Sequence, residues 1–261
     1  TSRYYTEGRD AVVNPFDQRC VQWSPLAELE TVADIPALAK SLVPDGENAT
    51  QAEWNGYAQN FTEAVLEYCF ENGLTNGELY HYIVSAPEEE LREICAGTPA
   101  EALLTEANIR MFANIRAIAS SNARFLRYLD PAADAKNGFS IRRFLVNEEH
   151  NGWLFLSYQQ QHRDALKSMI ACCVDIASRT VLSLPPSQTR RVIFGLDELP
   201  LLGRVQSIVE LATNGRKHGA MLFCGLQTIA QVRDTYGPNT SQTLLACLGS
   251  WLVLRVSDGE T

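Results

Sequence analysis

The 261-residue sequence has only four lysines, and none follows the glycine-rich turn that a phosphate-binding P-loop requires. Lys40-Ser41 and Lys167-Ser168 are preceded by Ala37-Leu38-Ala39 and Asp164-Ala165-Leu166, while Lys136 and Lys217 are followed by Asn137 and His218. Metal-binding spacing is absent too. The seven cysteines, Cys20, Cys69, Cys95, Cys172, Cys173, Cys224 and Cys247, are odd in number and form no Cys-x-x-Cys pair. His81, His150, His162 and His218 show no ligand spacing, which argues against a zinc site. Most of the cysteines lie in apolar contexts and read as reduced core residues of a cytosolic protein. The longest helical apolar stretch, Ala165 to Leu184, is interrupted by Lys167, Asp175 and Arg179. That interruption, and the want of a basic-plus-apolar leader, predict neither a membrane span nor a signal peptide in these residues. A start at Thr1 without Met and a stop at Asp258-Gly259-Glu260-Thr261 read as a piece of a longer protein.

With 46% hydrophobic residues, the chain can bury the core of one large domain or two modest ones. The net charge of −9 is unevenly spread. Residues 30–135 carry 17 acidic and 6 basic residues, whereas residues 136–261 carry 10 acidic and 13 basic ones. Such asymmetry suggests two units with different partners. The acidic stretch is helical in texture: Ala33-Ile35-Leu38-Ala39-Leu42, Trp54-Tyr57-Phe61-Val65-Leu66 and Ile109-Phe112-Ile115-Ile118 step by three or four. Breaks fall at Pro44-Asp45-Gly46, Glu71-Asn72-Gly73, Ala86-Pro87 and Gly97-Thr98-Pro99, giving a bundle of about five to seven helices. On either side strands and helices alternate. Ala11-Val12-Val13 and Trp153–Tyr158 read as strands, Arg163–Leu184 as a long helix and Val192–Leu196 as a buried strand. A helix near Arg204–Thr213, a buried strand Ala220–Gly225, one or two helices over Ile229–Leu248 and a strand Trp251–Val256 follow. This order predicts an α/β fold with a mostly parallel sheet, joined by the Ala11 strand, into which the helical bundle is inserted.

The chemistry concentrates in Val192-Ile193-Phe194-Gly195-Leu196-Asp197-Glu198, an apolar strand ending in two carboxylates. Ligands of open α/β sheets gather at the carboxyl ends of strands. In a Walker B arrangement the Asp holds Mg²⁺ and the next Glu orients the attacking water; a helix-capping Asp197 is the equally weighted alternative. The turn Gly215-Arg216-Lys217-His218-Gly219 offers cations to a phosphate, or is a solvated basic turn. Gln227, after the strand Ala220–Gly225, stands beside Asp197 if the two strands are neighbours, and there it can sense a γ-phosphate without adding charge; otherwise it starts a helix. Arg255 reads as a structural salt-bridge cation or an interface cation. Either the Walker B reading fails, or the P-loop lies in sequence before Thr1.

In order and spacing, Asn14-Pro15-Phe16-Asp17-Gln18-Arg19, Phe139-Ser140-Ile141-Arg142, Asn151-Gly152-Trp153-Leu154-Phe155, Asp197-Glu198-Leu199-Pro200, Gly215-Arg216-Lys217, Gly225-Leu226-Gln227, Gln231, Tyr236-Gly237 and Thr243-Leu244 resemble the TraD/TrwB-type coupling proteins of bacterial conjugation and type IV secretion. The resemblance covers essentially the whole chain. It implies a RecA-like P-loop NTPase core, with the P-loop upstream, carrying an inserted all-α domain. The corresponding divisions are 1–31 and 136–261 for the nucleotide-binding part and 32–135 for the insert. It implies ATP and Mg²⁺ as cofactors, Asp197 as the Mg²⁺-associated residue acting through water, and Glu198 as the catalytic carboxylate. Arg216 matches an arginine that reaches the neighbouring subunit's nucleotide, and Gln227 the polar γ-phosphate sensor. Gly195 departs from the bulkier β-former usual in that strand.

The implied function is an ATP-driven motor of the cytoplasmic face of the bacterial inner membrane. Such a motor assembles as a homo-hexamer held by an N-terminal membrane anchor, recruits relaxase and relaxosome proteins, and passes single-stranded DNA and protein to inner-membrane channel components. The acidic insert favours protein docking over nucleic acid. Its Arg110, Arg116, Arg124 and Arg127 read more readily as salt-bridge or solvated residues than as DNA contacts. Two other readings remain: a recognition fragment without catalysis, and a DNA-pumping ATPase of the FtsK/HerA kind.

Overall fold

Pro15 can donate no backbone hydrogen bond and restricts the residue before it, so the first strand stops almost as soon as it starts. The computed structural model describes residues 3–46, 48–147 and 149–253. β1 (Ala11–Val12) runs parallel to β2 (Leu154–Phe155), with Ala11 opposite Leu154 and Val12 opposite Phe155. The chain divides into two compact units, Thr1–Phe144 with Glu149–Cys172, and Leu145–Glu148 with Cys173–Thr261.

In the first unit, Asp10 locks the approach to β1. Its carboxylate accepts from Thr6 N at 2.6 Å and Trp153 N at 2.9 Å, and pairs with Arg9 at 2.8 Å. These bonds, the Arg9 one foremost, hold the Asp10 pKa far below the ordinary carboxylate range. Beyond Trp23 the chain is helical: α1 (Ile35–Leu42), α2 (Ala49–Glu71), α3 (Asn76–Tyr80), a π-helical turn (His81–Ser85), α4 (Glu88–Cys95) and α5 (Ile109–Ala123). Asn48 caps α2 through Gln51 N, and Thr75 with Glu78 forms a capping box on α3. Phe61 of α2 and Phe112 of α5 meet edge to face at 5.1 Å, both buried.

The chain enters and leaves this helical region side by side. Phe139 N donates to Gln22 O at 2.8 Å and Ser24 N to Phe139 O at 3.3 Å. Between them lies Glu28, 4% exposed, whose carboxylate accepts from Trp23 Nε1, Ser140 Oγ, Ile141 N and Arg142 N at 2.7–3.0 Å. Burial raises its pKa, and the four donors oppose that shift. Arg142 also pairs with Asp34 at 3.0 Å, so the exit segment is tied to both Glu28 and the first residues of the helical region. A short helix, α6 (Ile141–Val146), starts at this junction.

In the second unit, β3 (Val192–Leu196) and β4 (Ala220–Cys224) are parallel neighbours, with Val192 opposite Ala220 and Leu196 opposite Cys224. α7 (Arg163–Ser183), which begins in the first unit, precedes them and ends before Pro185. The β3–β4 crossover contains α8 (Gln206–Asn214) and a 3-10 turn (Gly215–His218), and α9 (Ile229–Tyr236) and α10 (Pro238–Cys247) follow β4.

The structure corrects several expectations. The strand expected over Trp153–Tyr158 keeps only Leu154–Phe155, because its partner β1 ends at the Asn14-Pro15 step. Among the described residues the strands form two separate pairs, so Ala11 does not share a sheet with Val192. Residues 251–253 are not strand, and 254–256 of that expected strand lie outside the described residues, as does Arg255. β3 and β4 are not buried on both faces: alternation places Ile193 and Phe223 outward, 54% and 59% exposed.

Candidate nucleotide-handling site

β3 and β4 are in register, so their carboxyl ends arrive together and present Asp197, Glu198 and Gln227 at one edge. Gln227 Nε2 donates to Glu198 Oε2 at 2.8 Å. The amide therefore sits on Glu198, the neighbour of the Asp197 beside which it was expected. The other oxygen of Glu198, Oε1, is buried and has no hydrogen-bond partner among the described residues. A buried carboxylate oxygen without a partner is costly, and a water or hydroxyl donor would relieve it.

Asp197 is exposed and its carboxylate makes no hydrogen bond or ion pair among the described residues. Its backbone is held tightly. Gly225 N donates to Leu196 O at 2.7 Å, Leu199 N donates to Gly225 O at 3.2 Å, and a Cβ on Gly225 would run into the Asp197 carbonyl oxygen. Gly225 is thus the residue that lets the β4 end close on the carboxylate turn. The chain then enters a short 3-10 turn, Leu199–Leu202, whose Leu199 is buried.

Tyr236, also buried, receives Val205 N on its hydroxyl at 3.5 Å, and burial pushes its pKa up to about 12. No group of three or more His, Cys, Asp or Glu side chains suited to a metal occurs among the described residues. Two adjacent carboxylates, one of them exposed, fit Mg²⁺, which usually keeps several waters and takes further oxygens from phosphate.

Arg216 is not part of this edge. It lies in the turn before β4, whereas Gln227 follows β4's other end. A five-residue strand at about 3.3 Å per residue puts on the order of 15 Å between them. The turn is fixed from behind: His218 Nδ1 donates to Leu184 O at 2.6 Å and Ser187 N to Lys217 O at 2.9 Å. His218 had no assigned role in the sequence, since one buried histidine bonded to a carbonyl leaves no spacing signal. The structure therefore brings Glu198 and Gln227 together beside Asp197 and places Arg216 at the opposite end of the same strands.

A family model for the type IV secretion-system coupling protein DNA-binding domain matches residues 1–261. The coupling protein TraD of Escherichia coli (strain K12) is 31% identical over 256 residues, 97% of this chain and 36% of TraD. The bacterial conjugative coupling protein TrwBdeltaN70, in an unbound form, superposes with a TM-score of 0.84 at 30% identity, over 94% of this chain and 57% of the other. The plasmid coupling protein TrwB in complex with ADP and Mg²⁺ gives 0.84 at 30% identity, over 94% and 58%. The chain spans about a third of TraD and under two thirds of the TrwB chains. Its fold is α/β, a RecA-like core carrying an all-α domain.

Proposed function

This chain belongs to the family of type IV secretion-system coupling protein DNA-binding domains, and we propose that it works as part of an ATP-driven conjugative coupling motor. The motor hydrolyses ATP, recruits relaxosome proteins and moves single-stranded DNA and protein to the inner-membrane channel as a homo-hexamer. Its place is the cytoplasmic face of the inner membrane, with the anchor outside these residues; no helix among the described residues is long and apolar enough to cross a membrane. Residues 1–31 and 136–261 serve the nucleotide-binding core and 32–135 form the all-α insert. The hydrogen bonds that join Gln22 and Ser24 to Phe139 favour that division, because they close the ends of the insert upon each other.

The observation that carries the reading is the Gln227–Glu198 bond beside an exposed Asp197 at the carboxyl ends of two parallel strands. Bound MgATP supplies the reactive γ-phosphoryl group and, through the ion, part of its charge neutralisation. Asp197 would hold the ion through water. Gln227 fixes the plane of Glu198 by occupying Oε2, and the unpartnered Oε1 is left to orient the attacking water and take its proton. Arg216 lies at the opposite end of these strands and serves the nucleotide of an adjacent copy, offering charge where the leaving phosphate develops it. Because the 261 residues contain no P-loop, the chain by itself does not turn over ATP.

In the full-length hexamer, Arg216→Ala is expected to abolish ATP turnover, by a factor of about 10³ or more, while nucleotide binding survives. Glu198→Gln should be equally inactive. Near-normal turnover of Arg216→Ala with intact assembly removes that residue from the mechanism.

A further inference from the structure

Beside Arg216 the second unit contains a cavity of about 890 Å³. Its walls are the Pro186–Arg191 loop, the end of α8, the basic turn and the amino end of β4; among the lining residues are Ser187, Gln188, Arg191, Asn214, Arg216 and Lys217. Among its described lining residues three are cations and none is a carboxylate. Among the described residues no ion pair involves Arg191, Arg216 or Lys217. Three uncompensated like charges around one hollow repel each other, and a multivalent anion relieves all three at once.

The walls are also fixed in advance. Arg191 anchors one guanidinium nitrogen on Gln188 O at 2.8 Å and Arg190 O at 2.6 Å. Val192 N donates to Gly219 O at 2.9 Å, and Arg190 reaches Pro185 O at 2.8 Å, so the loop and the basic turn are held to each other. Ser187, Gln188 and Asn214 add neutral donors to the same wall.

We propose that Arg191 and Lys217 act with Arg216 as a three-cation receptor for the triphosphate of a nucleotide held by an adjacent copy, with Arg191 as a second phosphate-binding residue supplied in trans. This rests on the reading that Arg216 serves a neighbour's nucleotide. It adds that a hollow of small-ligand size receives several phosphate oxygens where one arginine alone would meet only one group. Single-stranded nucleic acid is the less fitting ligand, because such binders line up cations and stacking aromatics along an open groove, and none of the described residues lining this cavity is aromatic.

Two measurements test it. Isothermal titration of the 261-residue chain with inorganic tripolyphosphate should show binding that weakens about tenfold in Arg191→Gln and partly recovers in Arg191→Lys. Circular dichroism of each variant reports folding; if Arg191→Gln misfolds, Arg191→Met, which keeps the stem and removes the charge, decides in its place. In the assembled full-length protein, Arg191→Gln should lower kcat/KM for ATP about tenfold, with KM raised. Tripolyphosphate binding unaffected by loss of the Arg191 charge overturns the proposal, while an inactive Arg216→Ala hexamer would still uphold the trans-arginine reading. Normal turnover in Arg216→Ala overturns that reading and the trans assignment with it, even if tripolyphosphate binds. An oligo-dT strand that displaces tripolyphosphate, and loses as much affinity in Arg191→Gln, reassigns the cavity to DNA phosphates.

Discussion

Two glycines near the carboxylates differ in what they tolerate. A Cβ on Gly195 meets nothing within 4 Å, whereas one on Gly225 meets the Asp197 backbone. The absence of the bulkier β-former at Gly195 is therefore a small loss of strand propensity on an exposed face. Gly195→Val should be neutral or stabilising by up to about 1 kcal/mol in thermal melts. Gly225→Ala must push β4 from the Asp197 turn, and is expected to destabilise by about 1–3 kcal/mol. If the two variants melt alike, the close approach of β4 to Asp197 is not a constraint. The carboxylates were legible in the sequence because a short apolar run ended in charge. Gly225 was legible only as one letter in a string, since the contact that demands it joins the residues just past the ends of two different strands. The sequence puts Gln227 beside the end of β3 only if the two strands are neighbours, and which carboxylate it meets depends on side-chain direction, which the sequence does not carry.

Among the elements, most helices announced themselves. α2 and α5 show apolar steps of three or four, α2 and α7 stop at visible breaks, and the structure places the three helices within a few residues of those marks. The strands were harder. β1 and β2 are two residues each, too short for periodicity to speak, and what fixes their pairing is the buried carboxylate of Asp10 bonded to Trp153 N. That bond ties element pairing to pH. The Asp10 pKa is depressed in the folded chain, first by its hydrogen bonds to Arg9, so the unfolded state binds the proton more readily. The stabilisation is complete above the ordinary aspartate pKa of about 3.9 and is lost as pH falls below it toward the folded value. Asp10→Asn should melt lower than the parent at pH 7, and the gap should narrow as the buffer is taken below pH of about 4. A gap that stays constant with pH would mean that Asp10 contributes no charge-dependent stability. Glu28 escaped notice for a related reason. Its donors Trp23, Ser140, Ile141 and Arg142 come from both sides of a long helical segment, and only folding brings them to one carboxylate.

At the scale of the whole molecule, the sequence's cysteines offer a test of how its mass is distributed. Read from apolar context most of them looked like core residues, and Cys69, Cys95, Cys172 and Cys173 are indeed buried. Cys20 and Cys224 are half-buried, and Cys247 is exposed although Leu244-Leu245-Ala246 precedes it. Context failed there because α10 buries one stripe, through Ser241 and Leu244, and Cys247 falls off it at the last turn. Burial also governs reactivity through charge: it pushes the Cys95 and Cys224 thiols up to about 11, so little thiolate is present in either near neutrality. Titration of the native chain with a thiol-specific disulfide reagent at mildly alkaline pH should therefore give one fast equivalent, lost in Cys247→Ser. Cys20 and Cys224 should follow slowly and the buried four only as the chain opens; denaturant should release all seven at once. Two or more fast equivalents, with Cys247→Ser removing just one, would mean that a thiol placed inside is reachable from solvent and that the packing described for its unit does not hold in solution.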